Sequence, residues 1–196
     1  MKITFINSLK EAKKETLFVS VSPKNKDEIV KDLSAQAGNG IKTLYLKCDE
    51  KMNLRKLFLL VRKMVIMAKG VKAEKLGFNF SDFKFKGLKI SDEELGELIG
   101  SQLDFANYEF VEYKTPTEEG FSFVKEVIIS DTNKKIEKAI LKGSTIAREV
   151  NKTRSLANTP GGDMTPQILA QKAKEAVKGL PVKVTVLGEK EMEKQN

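Results

Sequence analysis

The sequence predicts an α/β protein: a mixed β-sheet flanked by helices, followed by a long linker helix and the first elements of a second α/β domain. Three observations predict it. Six short runs rich in β-branched and aromatic residues alternate with stretches of helical spacing, in the order β-β-α-β-α-β-α-β-α-α-β. One helical pattern, from Asp131 to Ala157, spans about 40 Å at about 1.5 Å per residue, enough to join two domains. It runs into a break at Asn158-Thr159-Pro160-Gly161-Gly162, and a new helix restarts at Thr165-Pro166. The boundaries that follow are residues 1–130 for the first domain, 131–158 for the linker helix, and 159–196 for the start of the second domain.

The elements come in order. Lys2 to Ile6 and Thr16 to Val21 read as strands. Ser22-Pro23-Lys24-Asn25 is a turn cluster. Asp27 to Ala37 carries Ile29, Val30, Leu33 and Ala37 at helical spacing and predicts a helix, stopped by Gly38-Asn39-Gly40. Ile41 to Lys47 alternates and reads as a strand. Asn53 caps a helix running through Lys69, with Leu54, Leu57, Phe58, Val61, Val65 and Ala68 on one wide apolar face and Met64 and Met67 packed into it. Lys75 to Phe80 is a strand in which Gly77 marks a bulge or a close backbone approach. Ser91 and Glu94 form a capping box for the next helix, whose core face is Leu95, Leu98, Ile99, Leu103 and Ala106. Phe121 to Ile129 reads as a buried strand. Ile136, Ala139, Ile140, Gly143, Ile146, Ala147 and Val150 give the linker helix its apolar stripe. A helix from Pro166 to Lys178 ends at Gly179, Val182 to Leu187 reads as a strand, and Glu189 begins a further helix.

The joint at 151–173 has local causes. Pro160 disfavours the α region at Thr159, and two glycines let the backbone turn. Thr165 is a good N-cap, and Pro166 sits at the first helical position, where its missing N–H costs nothing.

Composition excludes several classes. The chain has 196 residues, of which 40% are hydrophobic and 32% charged. The longest apolar candidate, Leu57 to Ala68, is interrupted by Arg62 and Lys63, well short of the roughly 18 residues of a membrane span. The start lacks a signal-peptide apolar region. Cys48 is the only cysteine, so no internal disulfide forms, and a cytoplasmic protein is expected. Histidine is absent, which removes Ser–His–Asp and Cys–His catalysis and any His-ligated zinc.

The net charge of +8 is unevenly placed. From Lys51 to Lys89 eleven Lys/Arg face two acids, and from Ser91 to Glu119 nine acids face one base. Solvated faces that neutralise each other account for this pattern. The alternative is a DNA-binding module that uses the basic 51–89 region, with Arg62, Lys63, Lys84 and Lys86 as phosphate contacts. Phe78, Phe80, Phe83 and Phe85 beside it fall at strand-like spacing and are expected in the core. No Walker A loop, dinucleotide fingerprint, H-E-x-x-H or G-x-S-x-G is present. The acids are scattered: Asp92, Glu93 and Glu94 suit a helix N-terminus, Glu118 and Glu119 lie in a loop, and Glu189, Glu191 and Glu193 lie near the chain end.

The wording of the joint is more specific than its physics. REVNKTRSLANTPGGDMTPQILAQKAKE resembles the inter-domain segment of the leucyl aminopeptidase (cytosol aminopeptidase) family, whose members read close to A-R-x-L-x-N-x-P-x-N-x-x-T-P-x-x-L-A. Arg154, Leu156, Asn158, Pro160, Thr165, Pro166, Leu169 and Ala170 fall on that pattern, and Gly162 stands where members often have Asn. Tyr108 to Lys114 resembles the family's Y-R-F-x-x-Y-K segment, with Glu109 in place of Arg, and Val182 to Glu193 is similar to the stretch leading into the catalytic domain. The resemblance covers residues 90 to 196; before that only the order of elements matches.

The resemblance implies a macro-domain-like N-terminal domain and a parent metalloprotease that removes N-terminal residues, often Leu, from peptide substrates. It implies two divalent metal ions, Zn or Mn, held by carboxylates and a lysine, and a homohexamer; some bacterial members also bind DNA. The family's metal ligands, its catalytic lysine and arginine, and its N-T-D-A-E-G-R motif fall beyond the point matching Asn196. No catalytic, cofactor-binding or metal residue is therefore carried onto this sequence. The segment is expected to serve assembly and active-site access, and to be inactive alone.

Overall fold

The structure, a computed structural model, describes residues 1–12, 15–31, 42–116, 118 and 120–195. It divides into two compact units, Met1–Asn151 and Lys152–Asn196.

The first unit is built on a six-stranded sheet. Its strands are β1 (Lys2–Phe5), β2 (Leu17–Ser22), β3 (Glu28–Lys31), β4 (Lys42–Lys47), β5 (Lys75–Asn79) and β6 (Glu126–Ser130), in the spatial order β1-β6-β5-β2-β4-β3. All neighbours are parallel except β3, which pairs antiparallel with β4, Ile29 opposite Leu44. This is the mixed sheet of an α/β protein, as the sequence predicts. Leu76, Gly77 and Phe78 of β5, and Val127 to Ser130 of β6, are buried without alternation, as strands covered on both faces should be. In β4 burial alternates through Leu44 and Leu46.

Three helices flank the sheet: α1 (Leu54–Gly70), α2 (Asp92–Asn107) and α3 (Lys134–Asn158). Asn53 Oδ1 accepts from the Lys56 N–H at 2.9 Å and starts α1; Leu57, Leu60, Val61, Met64, Val65 and Ala68 form its buried face. The Ser91–Glu94 capping box starts α2. Arg62 Nε donates to Gln102 Oε1 at 2.6 Å, tying α1 to α2. At the crossing of α2 and α3 the backbones touch: a Cβ on Gly100 would lie 2.1 Å from Ile140 O, and one on Gly143 2.0 Å from Glu97 O. Gly77 is a close approach, since its Cβ would lie 2.9 Å from Thr16 Cγ2.

Four expectations are corrected. The helix expected over 27–37 is a strand at Glu28–Lys31, and its remainder, with Gly38-Asn39-Gly40, lies outside the described residues. A turn held by Asn25, whose Nδ2 donates to Ser20 O and Leu46 O, sends the chain past the position of β4 to the sheet edge, where the Ile29-Val30 pair finds ladder partners. The strand expected from Phe121 begins only at Glu126. Asn107, at the end of α2, bonds both the N–H and the C=O of Val124, each at 2.9 Å, and holds the preceding chain away from the ladder. The linker helix starts at Lys134 rather than Asp131, which takes a left-handed φ of 57°. Asn133 Oδ1 accepts from the N–H groups of Lys135 and Ile136 and acts as the cap. Finally, Val182 to Leu187 forms no strand; it has no ladder partner among the described residues.

The second unit holds about the last two turns of α3, α4 (Pro166–Ala176) and α5 (Glu189–Glu193). Thr165 Oγ1 accepts from the Ile168 N–H at 3.3 Å, with Pro166 in the first turn, as the sequence predicts. Among the described residues of this unit none is buried; Leu169, Leu180, Val182 and Met192 are about half exposed.

Candidate functional site

Open α/β sheets bind ligands outside the carboxyl ends of their strands, where successive connections leave in opposite directions. Here that point lies between β5, whose chain leaves through α2 toward β6, and β2, whose chain leaves toward β3 and β4. It is filled. The tight helical turn Phe80–Phe83 follows β5 directly and packs on β2, with Phe80 and Phe83 fully buried and the Phe83 ring edge-on to Phe78 at 5.0 Å. Beside the plug, Ser130 Oγ donates to Asn79 Oδ1 at 2.7 Å, Asn79 Nδ2 donates to Asp82 Oδ2 at 3.4 Å, and Ser81 Oγ donates to Asp131 Oδ2 at 2.7 Å. Burial, and to a lesser degree the charge of Asp131, pushes the Asp82 carboxyl above its ordinary value. Two carboxylates do not make a metal cage, and no group of three His, Cys, Asp or Glu able to hold a metal ion occurs among the described residues.

The acids singled out in the sequence do local work. Asp92 pairs with Lys84 at 2.7 Å. Glu93 lies exposed in the first turn of α2. Glu94 accepts from the Ser91 N–H at 2.8 Å and from its hydroxyl, which holds the carboxyl below the usual range. Glu118 is exposed in a loop, and Glu119 lies outside the described residues. Glu189, Glu191 and Glu193 are exposed on α5, where Glu191 accepts from the Gly188 N–H at 3.0 Å. Cys48 is buried, and desolvation pushes its thiol up, the reverse of what a nucleophile needs.

Five of the eleven basic side chains in the 51–89 region are in ion pairs. Lys69 pairs with Glu109 at 3.2 Å, Lys84 with Asp92, Lys56 with Asp49 at 2.9 Å, Lys75 with Glu15 at 2.8 Å, and Lys63 with Asp27. Lys114 and Lys69 together hold the Glu109 carboxyl below its usual range, so the substitution in the Tyr108–Lys114 segment places an acid where two lysines meet it. The aromatics are core: Phe78, Phe80 and Phe83 are fully buried, and Phe85 packs against them.

Of the residues on the inter-domain pattern, Arg154, Leu156 and Asn158 lie in the last turns of α3, Pro160 in the turn, and Pro166, Leu169 and Ala170 in α4 behind the Thr165 cap. A Cβ at Gly161 or Gly162 would meet nothing within 4 Å. One cluster escaped the sequence reading. Asp104, on the core face of α2, is buried and accepts from the Ser144 hydroxyl of α3. Its signal in the sequence is a carboxylate next to Leu103 within an apolar stripe.

A scan of protein-family models finds none that matches this chain. Among curated proteins, a probable cytosol aminopeptidase of Roseiflexus castenholzii is 36% identical over 104 residues, 51% of this chain and 20% of the relative. A probable cytosol aminopeptidase of Rickettsia massiliae is 28% identical over 146 residues, 74% of this chain and 29% of the relative. The chain thus spans less than a third of the length of these relatives. Among solved structures, a tomato leucine aminopeptidase mutant superposes with a TM-score of 0.76 at 13% identity, covering 99% of this chain and 46% of that one. The bottromycin maturation enzyme BotP gives a TM-score of 0.69 at 15% identity over 91% of this chain and 40% of its own. The resemblance to leucyl aminopeptidases is borne out in these relatives, and the likeness of fold reaches residues 1 to 90, where the sequence offered only the order of elements.

Proposed function

We propose that the chain is the N-terminal portion of a leucyl-aminopeptidase-like metallo-exopeptidase, which removes N-terminal residues from peptides in the cytoplasm as a homohexamer. The observation that carries the reading is the 36% identity over 104 residues to a protein named as a cytosol aminopeptidase. In this reading residues 1–130 are the N-terminal domain, 131–158 the linker helix and 159–196 the start of the catalytic domain, and the segment serves assembly and access to the active site. A second unit with no buried residue among those described suits a piece that completes its core with further chain.

The parent enzyme would use two divalent metal ions, Zn or Mn, and one neighbouring structure is described as a complex with Mn. The residues described here do not fit such a pair, since no three potential ligands converge. No catalytic step is assigned to this chain. The DNA-binding reading gains no observation in its favour, because five basic side chains of its region are in ion pairs.

The test is hydrolysis of leucine anilide with added Mn²⁺ or Zn²⁺. It compares the 196-residue chain with the product of the gene read past codon 196. The longer product should turn over substrate and lose activity to a chelator, and the 196-residue chain should not. Chelator-sensitive turnover by the short chain would move the active site into this segment. A gene that stops there would remove the parent enzyme from the proposal.

A further inference from the structure

Asp104 is 5% exposed and Ser144 is 2% exposed, at the place where α2 and α3 touch backbone to backbone. The Ser144 hydroxyl donates to Asp104 Oδ2, and about two turns further along α3 Asn151 Nδ2 donates to Asp104 O at 3.0 Å. A buried carboxylate held by one side-chain donor is poorly compensated for its lost hydration. The charged groups facing it are the Met1 ammonium and the Arg148 guanidinium of α3. Arg148 spends a hydrogen bond on Thr145 Oγ1 of its own helix, at 3.2 Å. A hydroxyl both donates and accepts, so Ser144 keeps its bond to a protonated Asp104.

We propose that Asp104 is a pH-sensitive latch that holds α3 on α2 tightly when protonated and loosely when ionised. This inference concerns the first unit alone and does not rest on the aminopeptidase reading. Burial raises the carboxyl above its ordinary value, against the smaller pull of Ser144, the N-terminus and Arg148. The docked helix therefore binds the proton more tightly than the undocked one. Docking strength is full below the ordinary aspartate value of about 3.9 and falls as pH rises through the raised value. Asp27, Glu94, Glu109, Glu126 and Glu175 are all held low and slope the other way, losing their contribution as pH falls.

A comparison of the wild-type chain with Asp104→Asn isolates the latch, because Asn keeps an acceptor for Ser144 and carries no charge. Hydrogen-exchange protection of α3 amides from Ile140 to Asn151 would be measured from the ordinary aspartate value of about 3.9 up to about pH 8, corrected for intrinsic exchange. The ratio of variant to wild-type protection should grow by about threefold or more as pH rises. Ser144→Ala removes a donor to the carboxylate and should move that growth to higher pH. A ratio that does not change with pH overturns the latch. So does an Asp104 carboxyl titrating at or below the ordinary aspartate value by NMR. An Asp104→Asn chain that fails to fold also overturns it, because Asn mimics the form proposed to dock best.

Discussion

Single atoms decide the crossing of α2 and α3. A methyl at Gly100 would sit 2.1 Å from a backbone oxygen, which cannot swing away as a side-chain tip can. Gly100→Ala should force the helices apart and cost about 3 kcal/mol in denaturant unfolding, the upper part of the usual range for overpacking. Gly161 is the control. It stands in open space, and its φ is not positive. Gly161→Ala there restricts the unfolded chain without strain and should gain about 0.5 kcal/mol. Equal losses at the two positions would show that the close contact is not what matters. Thr16 is a third case: it is 1% exposed and its hydroxyl has no partner among the described residues. Thr16→Val removes the stranded group at nearly constant shape. It should raise stability by about 1 kcal/mol, whereas a loss would place an undetected partner on that oxygen.

Capping residues fix where the elements begin, and the starts of α1, α2 and α4 were legible because Asn53, Ser91 with Glu94, and Thr165 act on their own next turn. Ser91→Ala should cost about 1 kcal/mol in thermal or chemical melts; a change within error would mean that Glu94 holds the turn alone. Within α3, Ile146 is 44% exposed, so its side chain buries little. Ile146→Pro should still cost about 3 kcal/mol, because the loss is in the backbone ladder. Unchanged melting would argue against a continuous helix. The elements that differ from the sequence expectation share one cause. Ile29-Val30 suits a helix stripe and a strand equally, and only pairing with β4, some fifteen residues further on, decides it. Phe121 to Val124 has strand composition, but Asn107 takes both backbone groups of Val124 before a ladder can. Val182 to Leu187 has the composition of a strand and no ladder partner among the described residues. Composition states what an element can be, and a partner remote in sequence selects among the choices.

At the scale of the molecule, the acidic stretch meets the basic one at Lys69–Glu109 and Lys84–Asp92, a local cancellation that periodicity allowed but could not locate. The filling of the switch point between β2 and β5 was less legible. The plug depends on Phe80 and Phe83 folding back onto the sheet, which is a tertiary fact. Family likeness was readable in the 151–173 segment, where the physics of caps and prolines is common to many joints. The two units should therefore differ in stability. Large opening free energies arise where apolar burial is lost on opening, and β5 and β6 lie at the centre of a core that includes Phe78, Ile129 and Leu76. Their amides should exchange only through global unfolding, with protection that follows denaturant stability. Residues 178–188 have no helix or strand ladder, and no residue there is buried. Their amides should exchange within about tenfold of the unprotected rate under the same conditions. Exchange mass spectrometry on a sample shown to be monomeric reads both at once. Strong protection of 182–187 in that monomer would mean the segment already has a ladder partner, and would break the link between its exposed apolar residues and a core completed by further chain.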